Sequence, residues 1–572
     1  MSHQTRLAWL LAVTGVVAAL FATTASSAEA AGASRAERVR IPFPRDDGSL
    51  TPYTFRLGYP LVTLVYDTLL WRAPSGTPAP WLARTVRRSD EGRRVTIRLR
   101  EGIRWHDGRP LTADDVAFSF GYFAKRFHPR FTPQLEAVIR TEAPDAQTVV
   151  ITLRHRSPGF ADQPLADVPI LPRHLWERLP DGATAPKGLP VGSGPYRLAE
   201  YRRGKRYRFT ANRNYFLGRP RVDKIEVPFI ASFDDTIRAL EARRLDMVPA
   251  TIPERQQDRV TRPEFQTKSG STYTGTVLMF NLRRAPFDRP AARRAVADAL
   301  DLQRIARNPI IGGTGSAVPA DRGYLHPGSG WTTLGQVYRP DLARSRRAFA
   351  RLRLPPIRIL APSNDPVRRE AGRQVVLALE RAGASARLQE LAPSRLSAAV
   401  GEDGTPPDFE AAIWSSPPLA SYDPDFLRVV FGSGKLAPLN YSGYRSAAFD
   451  RLAAQVAAAV TPDDRRRLVK SEINLLARDA PAIPLFFRQG AFVFRPQIYD
   501  GWIYVAGAGI LDKRSFLPRV TRAVAQAPAT QPAPQAESSS GGIGVLGYLA
   551  GAIIAGVLLF VVAALTLRKP GR

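Results

Sequence analysis

The stretch GIRWHDGRPLTADDVAFSF (102–120) brings a histidine, three aspartates and a threonine close together. Side chains of these types could bind a metal ion or act as a general acid and base. The chain has no cysteine, however, and its six histidines include no pair at i, i+4 spacing. A metal site would need two or three further ligands beside His106. We therefore predict no metal ligand and no catalytic residue here.

The same stretch has the features of a strand, a turn and a helix start. Asp107-Gly108 follows the alternating segment RRVTIRLR (93–100), and glycine readily takes the positive φ of a tight turn. Thr112 is a suitable N-cap, and the two aspartates after it fall in the first helical turn, where the helix dipole favours carboxylates. The polar residues of this stretch are therefore predicted to be structural.

Other motifs give no better case for catalysis. The Gly-rich segment VGSGPY (191–196) is not followed by Lys-Ser/Thr, and Pro195 prevents a helix from starting there. We interpret it as a tight crossing loop. The chain contains no G-x-S-x-G elbow and no H-E-x-x-H motif, so an exported hydrolase is the weakest hypothesis. The sequence predicts no enzyme and no cofactor.

Composition limits the partners of the chain. At 572 residues, it is long enough for two or three lobes. Its formal net charge of +30 could suit nucleic acid, but the arginines are spread along the whole chain without an aromatic-interleaved cluster or a nucleic-acid module. We predict no nucleic-acid partner.

Both ends carry membrane signals. Residues 1–30 have a basic start, an apolar run and a final Ala-Glu-Ala, which is typical of a cleaved secretory signal peptide. Residues 543–567 form an uncharged apolar run long enough to span a bilayer, and the basic tail 568–572 favours a cytoplasmic C-terminus. Residues 523–542, rich in Pro, Ala and Ser, are predicted to be a linker. We expect a single-pass type I protein of the cell membrane, with its ectodomain on the extracytoplasmic (periplasmic) side.

The region between these ends alternates strand and helix patterns. Strands are predicted in the segments 93–100, 148–155, 207–216 and 275–282, where apolar and polar residues alternate. Helical periodicity appears in 233–245, after Phe287, in 367–383 and in 463–480. The last helix is preceded by Thr461-Pro462, a cap followed by proline at the first helical position. The fold class is therefore mixed α/β.

Several blocks of this chain resemble, in the same order, the extracytoplasmic solute-binding proteins of ABC importers, specifically the oligopeptide/dipeptide/nickel-binding family (family 5). The blocks are YDTLLWRAPSGTPAPWLARTV (66–86), LREGIRWHDGRPLTADDVAFSF (99–120), ILPRHLWE (170–177), VGSGPYRLAEY (191–201), ANRNYF (211–216), ALEARRLDMV (239–248), MFNLRRAPFDRPAARRAVADALD (279–301), SGYRSAAFDRLAAQV (442–456) and LLARDAPAIPLFF (475–487). They are mainly fold-defining, so they indicate architecture better than ligand.

The resemblance implies a two-lobed clamshell, the periplasmic-binding-protein fold, with an extra domain on the first lobe. The implied boundaries within the ectodomain 31–522 are lobe I at about 36–60, 187–270 and 495–522, the extra domain at about 61–186, and lobe II at about 271–494. It also implies hinge closure over a ligand and docking of the loaded form on permease subunits.

The resemblance implies ligand residues in two segments. Peptide-binding members carry an aspartate three residues after a tryptophan, just before an Asp-Pro, which pairs with the α-amine of the ligand. Here Trp414 and Asp423-Pro424 are present but further apart, and Pro417 stands three residues after the tryptophan. The amine-binding aspartate is thus missing, which puts free-peptide recognition in doubt. Trp414, Tyr422 and Asp423 are candidate ligand contacts, although an Asp-Pro turn is an equal alternative for Asp423.

The second segment is 55–60, which corresponds to the family's extended ligand-contacting stretch. Arg56 could meet a carboxylate and Tyr59 could stack on an apolar group, or both could be surface residues.

The leading hypothesis is a membrane-anchored binding protein that delivers a peptide or other small polar solute to an ABC permease. The alternative is a ligand-sensing or assembly protein that kept the fold but not the transport role. Many relatives are anchored by a lipidated cysteine, which this chain lacks, and the C-terminal helix could replace that anchor.

Overall fold

The computed structural model describes residues 35–518, except 56–57, 181–182, 250–251, 253–255, 313–316 and 333–334. The predicted signal peptide (1–30), linker (523–542), membrane span (543–567) and tail (568–572) lie outside the described residues, as does Arg56. Among the described residues, none of the helices has the length and apolar character needed to cross a bilayer.

The described chain alternates short strands with helices. The strands are β1 (Ala36–Arg40), β2 (Leu70–Arg72), β3 (Pro78–Pro80), β4 (Ala83–Ser89), β5 (Arg94–Leu99), β6 (Val138–Asp145), β7 (Thr148–Leu153), β8 (Tyr196–Arg202), β9 (Arg206–Ala211), β10 (Val222–Pro228), β11 (Met247–Val248), β12 (Gln266–Phe280), β13 (Val318–Pro319), β14 (Ile357–Pro362), β15 (Ala386–Leu391), β16 (Ala411–Ser416) and β17 (Ala482–Phe494). The α-helices are Tyr59–Val65, Ala113–Lys125, Arg173–Trp176, Phe233–Glu241, Gln257–Val260, Pro290–Ala299, Leu302–Ala306, Pro309–Gly312, Leu342–Leu352, Pro366–Arg381, Pro393–Val400, Leu419–Tyr422, Phe426–Phe431, Ala447–Ala458 and Pro462–Asp479. Single 3₁₀ turns are Asp90–Gly92, Thr132–Leu135, Pro158–Ala161, Gly434–Leu436 and Lys513–Phe516.

The strands form four sheets. The large sheet has the order β11-β17-β12-β16-β14-β15, with β13 added beside β17. Two four-stranded sheets have the orders β1-β10-β9-β8 and β4-β5-β7-β6, and β2 and β3 form a two-stranded sheet. A strand or helix occurs in each segment where periodicity predicts one, although the strand predicted at 207–216 ends at Ala211, so the mixed α/β class is confirmed.

The large sheet is covered on both faces. Leu278 and Phe280 of β12 belong to one apolar cluster, whereas Val277 and Met279 belong to another. Successive side chains of a strand point to opposite faces, so the two clusters lie on either side of the sheet. These clusters form the second core. The first core is a single cluster that joins the sheet β1-β10-β9-β8 to the sheets β2-β3 and β4-β5-β7-β6, so the predicted lobe I and extra domain share one interior.

The long strand β17 connects the cores, and β12 pairs with it. Phe492 and Phe494 of β17 pack in the first core, whereas Ile483 and Leu485 of the same strand pack in the second. β12 runs antiparallel beside β17, and their register shifts between Ser271 and Gly275. The boundary implied at 270/271 therefore falls inside β12, next to this irregularity.

The stretch 102–120 has the structural role predicted for it. Gly108 takes φ +92° in the turn, and the helix Ala113–Lys125 follows Thr112 as N-cap. His106 is buried; its Nε2 lies 2.9 Å from the carbonyl oxygen of Gly194, and Gly192 N donates to its Nδ1 at 3.2 Å. Burial lowers the pKa of His106 to about 4, so the ring is neutral at pH 7. The histidine thus holds the predicted crossing loop.

A buried ion pair joins distant segments in the first core. Lys513 Nζ donates to Asp67 Oδ1 at 2.7 Å, and both side chains are 0% exposed. The same carboxylate accepts from Trp81 Nε1 at 2.8 Å, from the Tyr215 hydroxyl at 3.0 Å and, at Oδ2, from the Ser193 hydroxyl at 3.1 Å. Asp67 is therefore fully engaged, and its one charged partner comes from the end of the described chain.

Removing that charged partner should destabilise the fold. Lys513→Met leaves the carboxylate of Asp67 buried without a countercharge, and we expect the free energy of unfolding to fall by about 3–5 kcal/mol. Thermal and urea unfolding would measure this loss. The matched control is Lys224→Met, which removes the exposed pair with Glu37 (3.3 Å) and should leave stability almost unchanged. Equal losses in the two variants would contradict the role given to Lys513.

Candidate ligand-binding site

A cavity of about 930 Å³ lies where the two cores meet. Tyr59 and Arg130 line it from the first core, and Trp414 and Arg488 line it from the second. Its volume falls in the range of small-molecule sites, and its wall mixes aromatic rings with a few charged groups. The cavity can therefore enclose a small solute and contact it from both sides.

Trp414, one of the predicted ligand contacts, lies on the wall of the cavity. It is half-buried near the end of β16 and packs against the second core. Its ring stands edge-on to Tyr441, with centroids 6.0 Å apart and planes at 80°. The indole is thus held in place and still open to the cavity, as a stacking surface for a ligand would be.

Tyr59 lies on the opposite wall, at the first position of the helix Tyr59–Val65. Its hydroxyl donates to the backbone oxygen of Asp167, and the guanidinium of Arg130 sits 3.9 Å from its ring centroid. Burial raises the pKa of Tyr59 well above its ordinary value, so the hydroxyl stays protonated. The predicted stacking face of this ring is therefore already covered by a cation.

Tyr422 lines the cavity but is also a contact between the two cores. The guanidinium of Arg72, from β2, lies 3.7 Å from the ring centroid, and the hydroxyl donates to the backbone oxygen of Ala506 at 2.7 Å. Both partners belong to segments that pack with the first core. This tyrosine therefore fastens the second core to the first across the cavity.

Asp423 does not line the cavity, and the structure gives a physical reason. The residues between Trp414 and Asp423 include the helical turn Leu419–Tyr422, which carries the carboxylate away from the wall. Asp423 is buried, pairs with Arg465, and lies so close to Gly159 that a Cβ there would meet its Oδ2 at 2.0 Å. In this arrangement Asp423 is not positioned to pair with the amine of a ligand in the cavity.

The position of the missing aspartate is occupied by an uncharged part of the wall. Pro417 and its neighbour Pro418 line the cavity. Arg56, the remaining predicted contact, lies outside the described residues, and its part in binding stays a prediction.

Sequence reasoning missed the arginines of the cavity. Five guanidinium groups lie on its wall: Arg45, Arg72, Arg130, Arg368 and Arg488. Their positions are spread over most of the chain, which has arginine everywhere, so neither spacing nor composition distinguishes them. The one local signal was that Arg368 follows Asp365-Pro366, a cap and first-turn proline at the start of a helix.

A buried carboxyl lies beside the Asp423–Arg465 pair. Glu472, in the helix Pro462–Asp479, is 0% exposed, and within the described part of the chain neither of its oxygens has a hydrogen-bond partner. Burial and the nearby carboxylate of Asp425 raise the pKa of Glu472 well above its ordinary value. The group is therefore protonated in the folded protein, while the same group in the unfolded chain is ionised at neutral pH.

A cavity between two cores that are joined by the paired strands β12 and β17 is the arrangement of a two-lobed solute-binding protein. Residues 77–437 match the family described as bacterial extracellular solute-binding proteins, family 5 Middle. The chain belongs to this family, and the resemblance seen in its sequence blocks is confirmed.

Individual relatives agree with this assignment. Protein XP55 of Streptomyces lividans is 31% identical over 55% of this chain, and the oligopeptide-binding protein AppA of Bacillus subtilis is 25% identical over 40%. The chain spans about half the length of these curated relatives, 57% and 43% respectively. The structure of Bacillus subtilis AppA in complex with a nonapeptide superposes with a TM-score of 0.75 at 19% identity, covering 85% of this chain and 99% of that one. This likeness shows the fold, which is a two-lobed one.

Trp414 offers a direct test of the cavity. Trp414→Ala should weaken binding of a solute retained by the protein about tenfold or more, because a stacking surface is lost, while the melting temperature of the ligand-free protein stays nearly unchanged. Calorimetric titration and thermal melting would measure both. The contrasting variant is Trp502→Ala, a core residue 2% exposed, which should lower the melting temperature. If Trp414→Ala unfolds the protein instead, Trp414 is a packing residue.

Glu472 gives a pH-dependent prediction. Above the unfolded-state pKa of about 4.3, Glu472 ionises in the unfolded chain but stays protonated in the folded protein. The free energy of unfolding therefore falls by about 1.4 kcal/mol per pH unit, until the pH reaches the raised pKa of the folded protein. Glu472→Gln cannot ionise, so the variant should melt higher than the native protein at pH 8 but nearly equally at pH 4. The exposed Glu37→Gln is the control and should show no such difference. A shift that is the same at both pH values would contradict the prediction.

Proposed function

We propose that this family 5 protein is a membrane-anchored extracytoplasmic binding protein, which captures a small polar solute by hinge closure and delivers it to an ABC permease. The observation that carries the proposal is the cavity of about 930 Å³ with Tyr59 on one wall and Trp414 on the other. A solute held there contacts both cores at once, and so stabilises their closed arrangement over an open one.

The hinge in this proposal is the pair of strands β12 and β17. β17 packs in both cores, β12 packs in the second and pairs with β17, and this pairing is irregular between Ser271 and Gly275, next to Gly490 of β17. Glycine and a shifted register allow changes in φ and ψ at low cost. Closure around this point brings Tyr422 onto Arg72, which is the contact described above.

Peptides remain within the proposed range of solutes, together with other small polar molecules. The structure of AppA, a relative, is of its complex with a nonapeptide. In this chain Pro417 occupies the position of the amine-binding aspartate, and Asp423 is engaged with Arg465. Recognition of a free peptide N-terminus is therefore not part of the proposal.

The anchoring part of the proposal rests on the sequence of residues 523–567. A linker and a single apolar span would hold the binding domain near the membrane surface outside the cytoplasm. Tethering raises the effective concentration of the protein at a permease in the same bilayer.

The test is purification of the full chain from native membranes, followed by mass spectrometry of retained small molecules and of co-purifying proteins. We expect a retained solute and permease subunits. A chain ending at residue 522 should leave the membrane fraction and still retain the same solute. If the full chain retains a solute but no permease co-purifies, the sensing or assembly role replaces transport. If no solute is retained, and no member of a broad set of peptides and metabolites raises the melting temperature, the proposed binding function is wrong.

A further inference from the structure

The charged groups of the cavity wall are paired unevenly. Three of the lining arginines each have a carboxylate of their own: Arg45 pairs with Asp47 at 3.0 Å, Arg72 with Asp162 at 2.7 Å, and Arg130 with Asp167 at 2.6 Å. The other two, on the side of the second core, share a single carboxylate.

That shared carboxylate is Asp365. Arg368 Nε and Arg488 Nη2 both donate to its Oδ2, each at 2.8 Å. The other oxygen, Oδ1, accepts the backbone N–H groups of Val367 and Arg368, each at 3.1 Å, because Asp365 is the N-cap of the helix Pro366–Arg381. Asp365 therefore accepts hydrogen bonds at both oxygens, and its single negative charge balances only one of the two positive charges of Arg368 and Arg488.

The excess charge persists at every physiological pH. Burial acts to raise the pKa of Asp365, but the two guanidinium groups outweigh it and hold the pKa well below the ordinary value. The carboxylate is therefore ionised, both guanidinium groups stay charged, and the cluster keeps a net charge of +1.

Both guanidinium groups remain open to the cavity. The side chains of Arg368 and Arg488 are 20% and 23% exposed, and each has further N–H donors beyond the one given to Asp365. Arg488 lies opposite the register shift of β12, and its backbone oxygen accepts the hydroxyl of Thr272 at 2.7 Å. The irregular pairing at the hinge therefore positions one of the two cations.

The acidic residues of the wall offer less to a ligand. Asp167 accepts from Arg130 and, at 2.7 Å, from Gln134. Asp512 is buried and accepts from Trp71 Nε1 and from the backbone N–H of Arg514. Glu402 accepts the hydroxyl of Ser397. Among the described lining residues, Asp167 and Asp512 each accept from more than one protein donor, whereas Glu402 accepts one hydroxyl and forms no salt bridge. Glu402 is therefore the one described lining carboxylate that would compete with the two arginines for the charge preference of the cavity.

The geometry points to an anionic solute as the ligand of this cavity, with its carboxylate or phosphate group bound by Arg368 and Arg488 together. Two adjacent guanidinium groups match the oxygens of either anion with charge-assisted, bidentate hydrogen bonds. The inference rests on the proposed binding function and specifies its ligand class. It reverses the charge preference that an amine-binding aspartate would give.

The test uses the detergent-solubilised full chain and three simple probes at equal ionic strength: sodium phosphate, sodium acetate and methylammonium chloride. We expect phosphate or acetate to raise the melting temperature with saturation, and methylammonium to have no effect. Arg368→Gln and Arg488→Gln should each raise the half-saturating anion concentration about tenfold or more. The control is Arg467→Gln, an exposed arginine paired with Asp464, which should leave the anion response unchanged.

The outcomes separate this inference from the proposed function. A response to phosphate alone identifies a phosphate-bearing ligand, and a response to acetate alone identifies a carboxylate. Three results would overturn the inference while leaving solute binding intact. They are a higher melting temperature in methylammonium, an equal anion response in Arg488→Gln and the native chain, and a retained solute that is neutral or cationic. If the glutamine variants fail to fold, Arg488→Lys replaces them, because it keeps the charge beside Asp365 but loses the bidentate geometry. An unchanged anion response in Arg488→Lys would also overturn the inference.

Discussion

The buried pair of Lys513 and Asp67 constrains the whole arrangement of the chain. Neither side chain reaches solvent, and the ammonium lies 4.3 Å and 4.7 Å from the ring centroids of Trp71 and Trp81. Two charges can remain in such an apolar interior only when each neutralises the other. The segment after β17 must therefore return to the first core, where the chain began. The second core is consequently an insertion, joined to the first by strands that lead out and back.

The cavity follows from this topology. The proposed hinge places the movement of the second core relative to the first at the irregular pairing of β12 with β17 near Ser271 and Gly275. The walls that face each other across this junction need side chains that are stable both in solvent and in contact with the opposite wall. Aromatic rings and arginines do so, as the placement of Arg72 on Tyr422 illustrates. The same few residues therefore both hold the two cores together and line the cavity.

Local structure was largely predictable from the sequence, whereas the charged site was not. The turn at Gly108, the helix after Thr112 and the loop held by His106 depend on neighbours within a few residues or on one buried contact. The sharing of Asp365 by Arg368 and Arg488 depends on a strand more than a hundred residues further along the chain. Periodicity describes which face of an element is buried, but it carries no information about which arginine finds its own carboxylate.

Asp423 shows why a motif with altered spacing misleads. The tryptophan and the Asp-Pro of the family pattern are both present, but the residues between them form the turn Leu419–Tyr422, and a helical turn redirects the chain that follows it. The carboxylate consequently lies against Gly159 and is neutralised by Arg465, while an uncharged proline occupies its place on the wall. Once that negative charge is absent from its usual place, the wall there carries the unshared positive charge beside Asp365. Ligand preference can therefore change sign while every fold-defining block of the sequence stays in place.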